Sequence, residues 1–153
     1  MKDIHVECKP DELLVLKLGF KRKKVTHYQG KSSVFKKISK SENQLALVDE
    51  DPGSTKTTYE KNLKFVKESQ GITFYTDKSK NKIFVLKGKL EDWIIDICQI
   101  QKIEITKFGL PDDPDKLHDV INQRLNKFQQ LLDQLMKENN PAINELKTGL
   151  FST

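Results

Sequence analysis

Leu45-Ala46-Leu47-Val48-Asp49-Glu50-Asp51-Pro52-Gly53 sets the fold class. Four consecutive apolar residues stop abruptly at three acids, the pattern of a strand covered on both faces, as in the middle of a parallel sheet. Pro52 and Gly53 then end it. In an open parallel sheet, functional groups collect just beyond the carboxyl ends of the strands, which puts Asp49 and Asp51 where ligands bind. Side chains alternate along an extended chain, so an Asp-x-Asp can turn two carboxylates toward one hard cation while Glu50 faces elsewhere. A plain acidic turn capping the strand, or the next helix, is the competing reading of the same residues.

Working outward, alternating Ile4, Val6 and Cys8 predict a first strand with Glu7 near its carboxyl end. Pro10, Asp11 and Glu12 suit the first turn of a helix whose Leu13, Leu14, Leu16 and Leu18 turn inward and which stops at Gly19. Val25-Thr26-His27-Tyr28 predicts a second strand. Gly30 leads into a helix capped by Ser32 or Ser33, with Val34, Phe35 and Ile38 inward. Strand, helix, strand, helix, strand implies right-handed crossovers and an α/β fold with a mainly parallel central sheet flanked by helices.

Beyond the acidic turn, Thr57-Thr58-Tyr59-Glu60 matches a capping box, and Tyr59, Leu63 and Val66 predict a helix as far as about Ser69. Gly71 then introduces Ile72 to Thr76 and, after a turn, Ile83 to Leu86, two edge strands pairing as a hairpin. Leu90 to Gln101 reads as an apolar helix packed on the sheet. A short strand is weakly signalled at Ile103 to Thr106. Pro114 to about Asn139 reads as one long amphipathic helix, Pro141 to Leu146 as a further turn or two, and Gly149 as the start of a loose tail. Residues 1–107 thus form an α/β core and 108–153 a C-terminal helical extension packed on the same domain. If the core leaves part of the long apolar stripe uncovered, a homodimer or partner protein would cover it.

The chain has 153 residues, enough for one domain with a real core. Charged residues make up 32% and hydrophobic ones 36%, polar for a globular protein, yet the apolar residues cluster in periodic runs and the chain should fold. Met1-Lys2-Asp3-Ile4-His5 already carries charge and no N-terminal run resembles a signal peptide, and no apolar run approaches the roughly 20 residues of a membrane span. A soluble cytoplasmic protein without membrane contact is expected. Cys8 and Cys98 are isolated, with neither zinc spacing nor a disulfide framework.

The net charge of +5 is unevenly spread. Residues 1–40 hold eleven Lys or Arg against Asp3, Glu7, Asp11 and Glu12, a net +7, which leaves −2 for the rest. Lys21-Arg22-Lys23-Lys24 is the densest run and could line a phosphate backbone, making nucleic acid, DNA or RNA, the expected partner; a solvated surface is the plain alternative. Gly30-Lys31-Ser32 looks like the end of a phosphate-binding loop, but the earlier glycine would fall at Val25, inside a strand. His5, His27 and His118 lie on different elements at no metal spacing. No nucleophile elbow is present.

What accumulates is a constellation at strand ends: Glu7 and Asp11 around the first strand-helix turn, Gly30 and Lys31 after the second strand, Asp49 and Asp51 after the third. Over about residues 3 to 100 this resembles the Toprim domain, the metal-binding unit of topoisomerases, bacterial primases and OLD-type nucleases. In that family one strand ends in Glu, commonly within Glu-Gly-x-x-Asp, and a later strand ends in Asp-x-Asp. Glu7 and Asp11 match the first motif, with Cys8 in place of the glycine, and Asp49 with Asp51 match the second. The resemblance implies that Glu7, Asp49 and Asp51 hold Mg2+ or Mn2+ and catalyse cleavage or transfer of nucleic-acid phosphodiesters. Asp11 and Lys31 stand near that site, and Glu91 resembles a further acid of OLD-type domains, although a helix start favours an acid in any case. Two other readings are a Toprim-like module that binds nucleic acid or a partner without catalysis, and a receiver-like phosphoacceptor domain using Asp49, Thr76 and Lys87.

Overall fold

The computed structural model describes residues 1–152. In chain order the elements are β1 (Ile4–Val6), α1 (Lys9–Leu18), β2 (Val25–His27), α2 (Lys31–Ile38), β3 (Leu45–Asp49), α3 (Thr58–Lys61), β4 (Lys64–Ser69), β5 (Ile72–Thr76), β6 (Lys82–Leu86), α4 (Leu90–Gln101), α5 (Pro114–Val120), α6 (Leu125–Lys137) and α7 (Pro141–Phe151). One six-stranded sheet runs in the order β2-β1-β3-β6-β5-β4. Its first four strands are mutually parallel, while β5 and β4 are antiparallel additions at one edge. The protein is therefore α/β with a mainly parallel sheet and flanking helices.

β3 occupies the inner position its apolar run demands. Leu45 and Leu47 join the large core beneath α1, α4, α5, α6 and α7, whereas Ala46 and Val48 join a smaller core beneath α2. The chain steps from β1 outward to β2 through α1, then back across β1 to β3 through α2. Strand order thus reverses beside β1, opening a crevice at the carboxyl ends of β1 and β3.

The amino ends of β3 and β6 are pinned by one fully buried residue, Asn81. Its Nδ2 donates to the carbonyls of Ile38 and Ser41 and to Asp77 Oδ2, and its Oδ1 accepts from Gln44 N. His5 is a second buried knot: Tyr28 OH donates to its Nδ1 at 2.9 Å, and its Nε2 donates to Gln44 Oε1 at 2.6 Å.

Several expectations are corrected. The helix of residues 57–69 lasts only as far as Lys61: Thr57 caps it by accepting from Glu60 N, but Lys64–Ser69 is β4. Gln70 and Gly71 both have positive φ, as a tight two-residue hairpin turn requires, and this turn folds β4 back on β5. β6 is interior, between β3 and β5, so β4 takes the edge. Neither Ser32 nor Ser33 caps α2, since Gly30 holds the N-cap position without a side-chain bond. Residues Ile105–Phe108 form a 3-10 turn, and no strand forms there.

The single helix expected over 114–139 is broken by a 3-10 turn at Ile121–Gln123. No Pro or Gly marks that break; Arg124 leaves helical geometry and donates to the Gly109 carbonyl at 2.9 Å while Ile121 is buried at the corner. The stripe of Leu117, Phe128, Leu131, Leu132 and Leu135 is buried against the same chain. Residues 141–151 form a full helix rather than a loose tail, with Asn140 accepting from Ala142 N and Ile143 N at its start. Gly149 lies inside this helix because a Cβ there would stand 2.7 Å from Phe84 Cε2.

Candidate functional site

Three carboxylates meet in the crevice beside β1. Glu7 is the first residue past β1, Asp11 lies in the first turn of α1, and Asp49 ends β3. One oxygen from each lies within 4.8 Å of the others, and theirs is the one such cluster of potential metal ligands among the described residues. The arrangement is built by backbone donors. Asp49 N donates to Glu7 Oε2 at 2.6 Å, and Leu90 N, at the start of α4, donates to Asp49 Oδ1 at 3.0 Å. Extended Cys8 caps α1, and its thiol donates to Asp11 Oδ2 at 3.2 Å.

Asp11 is 1% exposed, and its Oδ1 has no hydrogen-bond partner. A buried polar atom left unsatisfied costs about 1–3 kcal/mol, so a carboxylate oxygen in that state needs a reason. Burial is the largest cause pushing the Glu7, Asp11 and Asp49 carboxyls above the ordinary range, and nearby negative charge adds to it, with Glu91 acting on all three. For Glu7, the bond from Asp49 N and the Lys31 charge act in the opposite direction. Oxygens this close can share one cation with ligand distances of about 2.0–2.6 Å, and an all-oxygen set suits a hard ion such as Mg2+ or Mn2+. The donor set and the orphaned Asp11 oxygen therefore fit such an ion.

Asp51 is not in the cluster. β3 ends at Asp49, so the alternation expected to align the two carboxylates ends with it; Asp51 has a left-handed backbone and its N–H donates to the Gly88 carbonyl at 2.8 Å. Its charge still reaches Glu7, raising that carboxyl slightly further. Glu50 Oε1 accepts from Gly88 N, so both residues clasp the loop after β6. Glu91, in the first turn of α4, is 4% exposed and lies outside the three-carboxylate group. Lys31 donates to the Glu50 carbonyl at 2.9 Å and pairs with Glu60 at 3.0 Å.

Lys21, Arg22, Lys23 and Lys24 precede β2, at the amino ends of the parallel strands, and none belongs to the cluster. Lys24 pairs with Asp3 just before β1, while the Arg22 side chain reaches back to Glu12. Thr76 is also at the wrong end for a receiver-like site: it lies opposite Lys82, where β6 begins, whereas Asp49 lies opposite Leu86, where β6 ends.

An open cleft of about 510 Å³ exposes Glu7 and Asp49, with Lys9, Tyr28 and His118 on its walls. Lys9 could have been suspected from its place beside Glu7. His118 could not, because it is brought from α5 by packing that has no local sequence signal. No helix is long and apolar enough to cross a membrane among the described residues. No family model matches the chain, and no curated protein or solved structure matches it.

Proposed function

We propose that this α/β protein is a Toprim-like, metal-dependent unit that cleaves or transfers nucleic-acid phosphodiesters. The observation that carries this reading is the unpartnered, buried Asp11 oxygen within a three-carboxylate cluster at the strand-order reversal. Glu7, Asp11 and Asp49 would hold Mg2+ or Mn2+. Such an ion supplies Lewis-acid polarisation of a phosphoryl oxygen and charge neutralisation as the ester breaks. The chain itself supplies position. Leu90 N and Asp49 N fix two of the carboxylates, and Lys9 on the cleft wall attracts the phosphate backbone toward them.

We assign the protein to the cytoplasm, which suits free thiols at Cys8 and Cys98. The test is incubation of the purified chain with labelled single- and double-stranded DNA and RNA, with Mn2+ or with chelator. Cleavage requiring the metal and lost in Asp49→Asn supports nuclease activity. Metal and nucleic-acid binding without cleavage would instead assign a non-catalytic module.

A further inference from the structure

Glu91 Oε1 lies 2.9 Å from Nδ1 of His118. Glu91 is buried in the first turn of α4, whereas the His118 side chain is 56% exposed on the wall of the cleft that also exposes Glu7 and Asp49. α5, which carries this ring, is anchored: Asp113 caps the helix by accepting from Lys116 N at 3.0 Å, and the neighbouring Leu117 is fully buried. A carboxylate facing one imidazole nitrogen holds the proton there and leaves the other nitrogen as a free base. Here that second nitrogen is Nε2, on a ring open to the cleft.

We infer that Glu91 and His118 form a proton-transfer pair for the cleavage reaction, an inference that rests on the reading of the carboxylate site given above. His118 is the general base and Glu91 a positioning residue. The oxygen of a water molecule bonds to phosphorus as its proton passes to His118 Nε2. The ester P–O bond breaks with its electron pair on the leaving oxygen, which takes a proton from solvent. His118 then returns its own proton to solvent, and Nδ1–H stays on Glu91 throughout.

Two measurements test this. In metal-free, 15N-labelled protein at mildly alkaline pH, His118 should be the Nδ1-protonated tautomer and should lose that preference in Glu91→Gln. Cleavage of a short labelled single-stranded DNA or RNA with Mn2+ should fall about 100-fold or more in His118→Ala, the usual scale for a lost general base. Mn2+ affinity should be unchanged, and added imidazole should restore part of the rate. An Nε2-protonated His118 in the unaltered protein, or unchanged cleavage by His118→Ala, would overturn the pair while leaving the carboxylate site standing. An unaltered protein that binds Mn2+ but cleaves neither strand would remove the nuclease reading and the proton-transfer role together.

Discussion

The backbone N–H of Asp49 donates to Glu7 Oε2 at 2.6 Å, tying the carboxyl ends of β1 and β3 into one acidic site. Two residues 42 positions apart are thereby fixed by a backbone donor, which leaves the Asp49 side chain free to face the same cleft. Geometry of this kind tolerates an amide at Glu7 less well than the fold does. Glu7→Gln should fold, with Mn2+ affinity reduced by about 10- to 100-fold in titration calorimetry. Unreduced affinity would show that Glu7 only braces Asp49.

The pH dependence has a defined sign. Burial is the largest cause raising the folded-state pKa values of Glu7, Asp11 and Asp49, and neighbouring carboxylates add to it: Asp51 and Glu91 at Glu7, Glu7 and Glu91 at Asp11, and Asp11, Glu7 and Glu91 at Asp49. A group raised above its unfolded value contributes stability below that unfolded value and loses it as pH climbs through the folded one. The contribution of these three carboxyls to the melting temperature of metal-free protein should therefore fall as pH rises above the ordinary carboxylate range of about 4, opposite in sign to the contributions of Glu12 and Asp77, whose carboxyls hydrogen bonds hold low. Asp11→Asn should gain in melting temperature relative to the unaltered metal-free protein as pH rises. Saturating Mn2+ should oppose the fall, since the ion binds ionised carboxylates. Superimposable metal-free slopes for Asp11→Asn and the unaltered protein would contradict the burial of this charge.

Gly149→Ala reverses the usual helix rule. An alanine normally stabilises a helix interior by about 0.5–1 kcal/mol relative to glycine. At Gly149 the new Cβ would meet the buried Phe84 ring, so a loss of about 1–3 kcal/mol is expected in denaturant unfolding. A gain would show that α7 does not press on β6.

Asn81→Ala should cost about 2–4 kcal/mol, because it strips partners from the Ile38 and Ser41 carbonyls and from Gln44 N at once. Chemical denaturation measures this directly. Mn2+ affinity should be unchanged wherever the variant remains folded, since Asn81 lies at the opposite end of the strands.

Much of this organisation was legible because strands covered on both faces announce themselves. Leu45–Val48 located the central strand, and the strand-helix alternation before it located the crossovers and the ends carrying Glu7 and Asp49. Other features depended on tertiary context. Phe65 and Val66 suit strand and helix alike, and the Gln70-Gly71 turn was the signal favouring β4. The break at Ile121–Gln123 has no sequence breaker, being imposed by a buried corner and an arginine bond across the chain. Asp51 would match Asp49 only in a strand that continued, and β3 ends at Asp49. Asp11 took the third place because α1 begins immediately over the carboxyl end of β1.

Nucleic-acid affinity should depend on Lys9 more than on the basic run before β2. Lys9→Ala should reduce the salt slope of binding by about 1, the effect of one lost phosphate contact. Replacing Lys21 and Lys23 together, both exposed and without ion pairs among the described residues, should change it less. The opposite ranking would move the strand's path to the amino ends of the sheet.

The cation site itself is tested most directly by calorimetric titration of Mn2+ into the unaltered protein and into Asp11→Asn, Asp49→Asn and Asp51→Asn. A single Mn2+ should bind per chain. Affinity should fall at least about 100-fold with Asp11→Asn or Asp49→Asn, and less than about threefold with Asp51→Asn, which lies outside the cluster. Absence of Mn2+ binding by the unaltered protein, or an Asp51→Asn loss matching that of Asp49→Asn while Asp11→Asn binds normally, would contradict the site.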